Sequence, residues 1–171
     1  MLPPAVVVHG LRDARRALAP GRPVTLLSAE GAACFAGCDW WRAMVDRARA
    51  QAPGGAAGVV APIAAGVAAN VAAPDMLAPD VLDCAASPGR AVEALRAGCR
   101  WIVLAPSCPA FADVMDRAAV SGAYVLARRP AALDLGRYRG DRGDRGDGPR
   151  DLGRRLDDWL TTGCGVTEPL L

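Results

Sequence analysis

The side chains best suited to chemistry stand directly after apolar runs. His9 follows Ala5–Val8, Ser28 and Glu30 follow Val24–Leu27, and Asp83 and Cys84 follow Val81-Leu82. Ser107 and Cys108 come shortly after Trp101–Leu104, and Arg128 and Arg129 follow Tyr124–Ala127. His9, Glu30 and Asp83 are acid–base groups, and Cys84 adds a nucleophile. Arg128 and Arg129 form a fork for an anion, with Ser28 and Ser107 as hydrogen-bond partners. If each run is a parallel strand, all these groups gather at the carboxyl ends of one sheet, where such folds bind ligands.

Each residue also has a plainer reading. Ser107 fits a helix cap, and Asp83 fits a cap or a partner for loop amides. His9 reads equally as a hydrogen-bonded loop residue. The two arginines suit a solvated surface, and Cys84 and Cys108 suit buried thiols. Cys34 and Cys38 would share a face if helical, but one histidine and no paired CxxC spacing argue against zinc. No metal and no cofactor is expected.

The clearest positioning unit is Val81–Leu104. Val81-Leu82 opens a strand, Ser87 caps a helix, and Pro88 occupies the first turn, where its missing N–H is harmless. Val92, Leu95 and Cys99 share a helical face, Gly98 suits the left-handed closing residue, and Trp101–Leu104 returns as a strand. Strands are expected to begin near positions 5, 24, 57, 81, 101 and 124, with helices between them. Leu11, Ala14 and Leu18 mark one helix face. Asp39 is the expected cap of a helix with an apolar stripe at Trp41, Met44, Val45 and Ala48. Ser107 and Pro109 open a helix bearing Phe111, Val114, Met115 and Ala118. The alternation predicts an α/β fold of about six parallel strands, either an incomplete (β/α)-barrel-like sheet or a flavodoxin-like open sheet.

Composition narrows the function. The net charge is +2, and the 20 basic residues are all Arg. A lysine-free chain has no Schiff-base lysine, no lysine general base and no Walker lysine. GxGxxG, HExxH and GxSxG motifs are missing too. The arginine-rich stretches lack interleaved aromatics, so nucleic acid is not an expected partner. Ala56–Ala73 is apolar enough to raise a membrane span. Pro62 and the many Ala and Gly residues favour a buried strand and turn instead. The N-terminal residues lack a basic, then apolar, leader pattern, which points to a cytoplasmic protein with reduced thiols.

The stretch from Asp83 to Pro130 resembles part of a (β/α) barrel of the small keto-acid aldolase type. The matching features are a strand ending in an acid, then AVEALRAGCRWIVLAPS, a helix, and YVLARRP. The resemblance implies a barrel-derived sheet with its site at the strand ends. It also implies a Schiff-base lysine on a strand, which this chain lacks, so that activity does not carry over.

The expected organisation is an α/β domain over 1–135, a flexible linker over 136–150 and a short amphipathic helix with a tail over 151–171. The linker carries the triplets Arg139-Gly-Asp141, Arg142-Gly-Asp144 and Arg145-Gly-Asp147. The helix carries Leu152, Leu156, Trp159 and Leu160. The functional expectation is a site for a small anionic metabolite at the strand ends. The alternative is a non-catalytic scaffold that meets its partner through the C-terminal helix. A homo-oligomer is compatible with either.

Overall fold

The computed structural model describes residues 2–52, 79–138 and 149–163. In chain order it contains β1 (Ala5–Val8), α1 (Leu11–Leu18), β2 (Thr25–Ser28), α2 (Ala32–Phe35), α3 (Cys38–Ala50) and β3 (Asp80–Asp83). Then come α4 (Pro88–Arg96), β4 (Trp101–Val103), α5 (Phe111–Val120), β5 (Tyr124–Leu126) and β6 (Ala132–Asp134). A 3-10 turn over Leu135–Tyr138 and helix α6 (Pro149–Thr162) complete the list.

The six strands form one all-parallel sheet in the order β5-β4-β3-β2-β1-β6. From β1 to β5 the order never reverses. Right-handed crossovers that always advance in one direction put every helix on the same face. The packing agrees. Val6, Val8, Leu26, Leu82, Ile102 and Leu104 share a core with residues of all the described helices. The alternate residues Val7, Leu27, Val81 and Val103 form a second cluster on the other face, joined by Leu2, Trp101, Leu126 and Ala132. A flavodoxin-like sheet has a reversal point and helices on both faces. The arrangement found here is an open, all-parallel α/β sheet with the described helices on one face.

The link from β5 to β6 shows that the sheet curls. It runs from Leu126 to Ala132, which an extended chain spans by at most about 21 Å. Across a flat sheet the five strand spacings alone would need about 24 Å. The edges must therefore approach each other, and the link crosses the concave face. Arg129, in mid-link, bonds to the ends of β2 and β3.

The Val81–Leu104 unit forms with the expected devices. The Arg90 N–H donates to Ser87 Oγ at 3.5 Å, Pro88 begins α4, and Gly98 takes φ +81°. The fully buried positions of α4 are Ala91 and Ala94, while Val92 and Leu95 are half-buried. Small residues let the helix sit close to the sheet, which moves the larger side chains to its flank. Two expected caps are corrected. Gly37, at φ +88°, precedes α3, and Asp39 lies inside its first turn. Ser107 is exposed in a turn, and α5 starts at Phe111 after Ala110. Helix α2 and strand β6 carry too few residues to show a period, and the sequence did not announce them. Helix α6 lays Leu152, Leu156 and Leu160 into the main core, and the Trp159 indole N–H donates to the Ala5 carbonyl at 2.8 Å. The expected strand over Ala57–Ala61, the apolar stretch Ala56–Ala73 and the Arg-Gly-Asp triplets lie outside the described residues. No helix among the described residues is long and apolar enough to cross a membrane.

Arg129→Leu should lower unfolding free energy by about 3 kcal/mol, because it strands the buried Asp83 carboxylate. Adding Asp83→Asn should cost less than the sum of the two single changes. Urea unfolding of the four proteins measures the coupling, and strict additivity would show that the pair does not hold the link.

Candidate functional site

A cleft of about 550 Å³ opens beside the carboxyl ends of β1 and β2. Its apolar walls include Val7, Leu27, Leu133, Tyr138 and Trp159. Its polar groups are His9, Glu30, Arg129, Asp134 and Arg137. They come from the ends of β1, β2 and β6, from the β5–β6 link and from the 3-10 turn.

His9 is held at both its backbone and its ring. Its backbone N–H donates to Asp13 Oδ2 at 3.0 Å, and Asp13 is buried in the first turn of α1. Its Nε2 lies 2.7 Å from Asp134 Oδ1. An ionised carboxylate can only accept, so the proton belongs on Nε2 and the neutral ring keeps its lone pair on Nδ1. The Gly136 N–H donates to the same Asp134 oxygen at 2.8 Å. Burial works to raise the Asp134 pKa. The bonds from His9 and Gly136 and the nearby Arg137 outweigh it, and the carboxyl stays below its ordinary value. Gly136 also lies against the imidazole. A Cβ there would sit 2.4 Å from His9 Nε2 and 2.6 Å from Cδ2. Only glycine lets the turn pass so close to the ring.

Arg129 and Asp83 meet behind the cleft. One guanidinium nitrogen donates to Asp83 Oδ2, and the other donates to the Ser28 carbonyl at 2.9 Å. Asp83 Oδ1 accepts from the Gly31 N–H at 3.0 Å and the Ala85 N–H at 2.7 Å. Ala85 holds φ +50° there, a left-handed conformation that costs a residue with a Cβ. Ser28 Oγ accepts from the Asp83 N–H at 2.9 Å and donates to the Ala29 carbonyl at 3.0 Å. Asp83 and Ser28 therefore build the rim rather than face a ligand. Arg129 keeps its remaining N–H donors beside the cleft, with its side chain 26% exposed.

The candidates read from the sequence thus divide. His9, Glu30 and Arg129 come together in the cleft. Asp83 and Ser28 stand behind it as its scaffold. Arg128 and Ser107 are exposed and do not line it. Cys84 is fully buried in the core shared with the helices, where burial raises its thiol pKa far above the ordinary range, so it is no nucleophile. Cys108 is buried in the same core. Burial pushes Cys38 up to about 11 and Cys99 up to about 12, while Cys34 is exposed. Cys34 and Cys38 belong to different helices, separated by Gly37. Among the described residues no group of three His, Cys, Asp or Glu side chains is placed to hold a metal ion.

Sequence reasoning missed Asp13, Asp134, Gly136 and Arg137. One signal was available for Asp134. Val81-Leu82-Asp83 and Ala132-Leu133-Asp134 are both strands that end on Leu-Asp. Comparison with known proteins found no matching family model, no matching curated protein and no matching solved structure.

The depressed Asp134 pKa sets a sign. A carboxyl whose pKa is lower folded than unfolded adds stability above its unfolded value and loses it as pH falls through its folded value. Asp134→Asn should therefore be less stable than the wild type at neutral pH. The gap should close as the solution is acidified through the carboxylate range, followed by chemical unfolding at each pH. Gly136→Ala should break the His9–Asp134 bond, read as loss of the hydrogen-bonded imidazole N–H proton resonance.

Proposed function

We propose that this cleft binds a small molecule with one anionic end. The observation that carries this reading is the convergence of His9, Glu30, Arg129 and Arg137 on one partly apolar cleft at the strand ends. Charge balance limits the ligand further. Asp83 already neutralises much of Arg129, and Asp134 faces both His9 and Arg137. The cleft is thus no positive funnel for polyanions. It offers directed N–H donors to one carboxylate or phosphate, with apolar walls for a short carbon chain. Arg137, 83% exposed, is the cation with most freedom to swing onto a ligand.

The scaffold alternative loses support on one point. It needed the C-terminal helix for a partner, yet the apolar face of α6 is already packed against this chain. A cytoplasmic setting is supported by Cys34, Cys38, Cys84, Cys99 and Cys108, all free thiols.

Butyrate and inorganic phosphate are suitable probes in a thermal-shift titration. A ligand at ten times its Kd adds about 1.4 kcal/mol of stability, or about 3–6 °C in a chain of this size. Arg137→Ala should reduce the shift, and Glu30→Gln should enlarge it by removing a repelling carboxylate. Arg128→Ala should leave it unchanged. Equal shifts in the wild type and Arg137→Ala would mean general salt stabilisation and would sink the reading.

A further inference from the structure

The cleft holds an arrangement that simple binding does not require. A carboxylate fixes the Nε2–H of His9 at 2.7 Å, Gly136 fixes that carboxylate, and the buried Asp13 fixes the His9 backbone. Three constraints on one half-exposed imidazole leave Nδ1 as its basic atom. None of the residues lining the cleft is a Ser, Thr, Cys or Lys. The aliphatic hydroxyl, thiol and amine nucleophiles are thus missing from the lining, and an imidazole held by a carboxylate is suited to proton transfer.

We propose that His9 is the general base of a proton-transfer site and that Asp134 and Gly136 are its positioning residues. The substrate class is a small carbon acid with one anionic end, and the proposal rests on the cleft being the binding site. His9 Nδ1 takes a proton from the carbon next to a carbonyl. The electron pair of that C–H bond forms an enolate, and the new negative charge on oxygen faces the free N–H donors of Arg129 and Arg137. The imidazolium, paired with Asp134, returns the proton to the same carbon or to a neighbouring one. No oxidant, reductant or leaving group is involved.

Two probes separate base from binding. The first is 5-nitrobenzisoxazole, an uncharged ring that a base opens by taking its C–H proton. The C–H electrons form the nitrile, the N–O bond breaks, and a yellow phenolate is released. The second is acetoacetate in deuterated water, whose methylene protons exchange through the enolate. Both rates should fall about 100-fold in His9→Gln. Asp134→Asn keeps the shape of the pair and removes its charge, so for the uncharged ring it should lower kcat with KM unchanged. Arg137→Ala should slow both reactions, and acetoacetate exchange the more, because acetoacetate also loses a partner for its carboxylate. A folding defect in these variants is bypassed in the wild-type protein, whose single histidine can be ethoxyformylated and then restored with hydroxylamine. The rates should vanish and return in step. Rates unchanged by His9→Gln and by ethoxyformylation overturn the proposal, as does loss of rate in Glu30→Gln alone. Butyrate binding without either reaction leaves the ligand site standing and refutes the base. Ring opening that depends on His9 without any anion binding supports the base and removes the anionic ligand.

Discussion

The contact between Asp83 and Arg129 is the constraint on which the cleft depends. A parallel sheet with all its described helices on one face leaves its other face open. That face carries Val7, Leu27, Val81 and Val103, which would meet water on an uncovered flat sheet. Burying four such side chains is worth roughly 1.5–3 kcal/mol each. The curl of the sheet and the return of residues 127–131 across its concavity help to shield them. The link contains Arg128, Arg129 and Pro130, and it has no regular secondary structure to hold it. Its anchor is Arg129, bonded to the Asp83 carboxylate and the Ser28 carbonyl. A buried ion pair is an uncertain source of net stability, because desolvation offsets attraction. Here the pair also has a geometric role. It fixes where the chain crosses, and so where β6 can pair with β1.

Placing β6 beside β1 sets Asp134 next to His9, and the two Leu-Asp strand ends then diverge in role. Asp83 lies in mid-sheet, and its oxygens are taken by Gly31, Ala85 and Arg129. Asp134 lies on an edge strand, where one oxygen serves His9 and Gly136 and the side chain stays 29% exposed. The same dipeptide yields a rim in one place and a site in the other, and the difference comes from sheet position alone. An edge strand leaves room for an imidazole and for the close passage of Gly136. A central strand is enclosed by its neighbours.

These differences also explain what could be read from the chain. The Val81–Leu104 unit was legible because its signals are local: Ser87 and Pro88 open the helix, and Gly98 closes it. The parallel α/β class followed from the alternation of such units. Strand β6 spans only Ala132–Asp134, less than a recognisable period, and it forms because β1 offers an edge for it. The His9–Asp134 contact joins residues 125 apart, so no spacing rule could propose it. Cys84 takes the buried-thiol reading rather than the nucleophile for a related reason. Alternation along β3 turns Leu82 and Cys84 to the helices and Asp83 to the concave side, so adjacent residues face different surroundings. His9 and Arg129 were identifiable because strand ends are where such sheets expose polar groups. Their partners were not.

The all-arginine composition bears on the chemistry as well as on the fold. A lysine at position 129 would offer one rotating ammonium, able to meet Asp83 or the Ser28 carbonyl but poorly suited to holding both in fixed directions. The planar guanidinium meets both and keeps N–H groups for a third partner. Asp83 therefore serves as an electrostatic weight behind the cleft. It anchors Arg129 firmly enough to order the link, and it lowers the positive potential that would otherwise draw in polyanions. On the proposed reading, recognition then falls to direction and distance: the remaining N–H groups of Arg129, the exposed Arg137 and the fixed imidazole of His9. The ligand proposed for that arrangement is small, carries its charge at one end, and presents its acidic hydrogen to Nδ1.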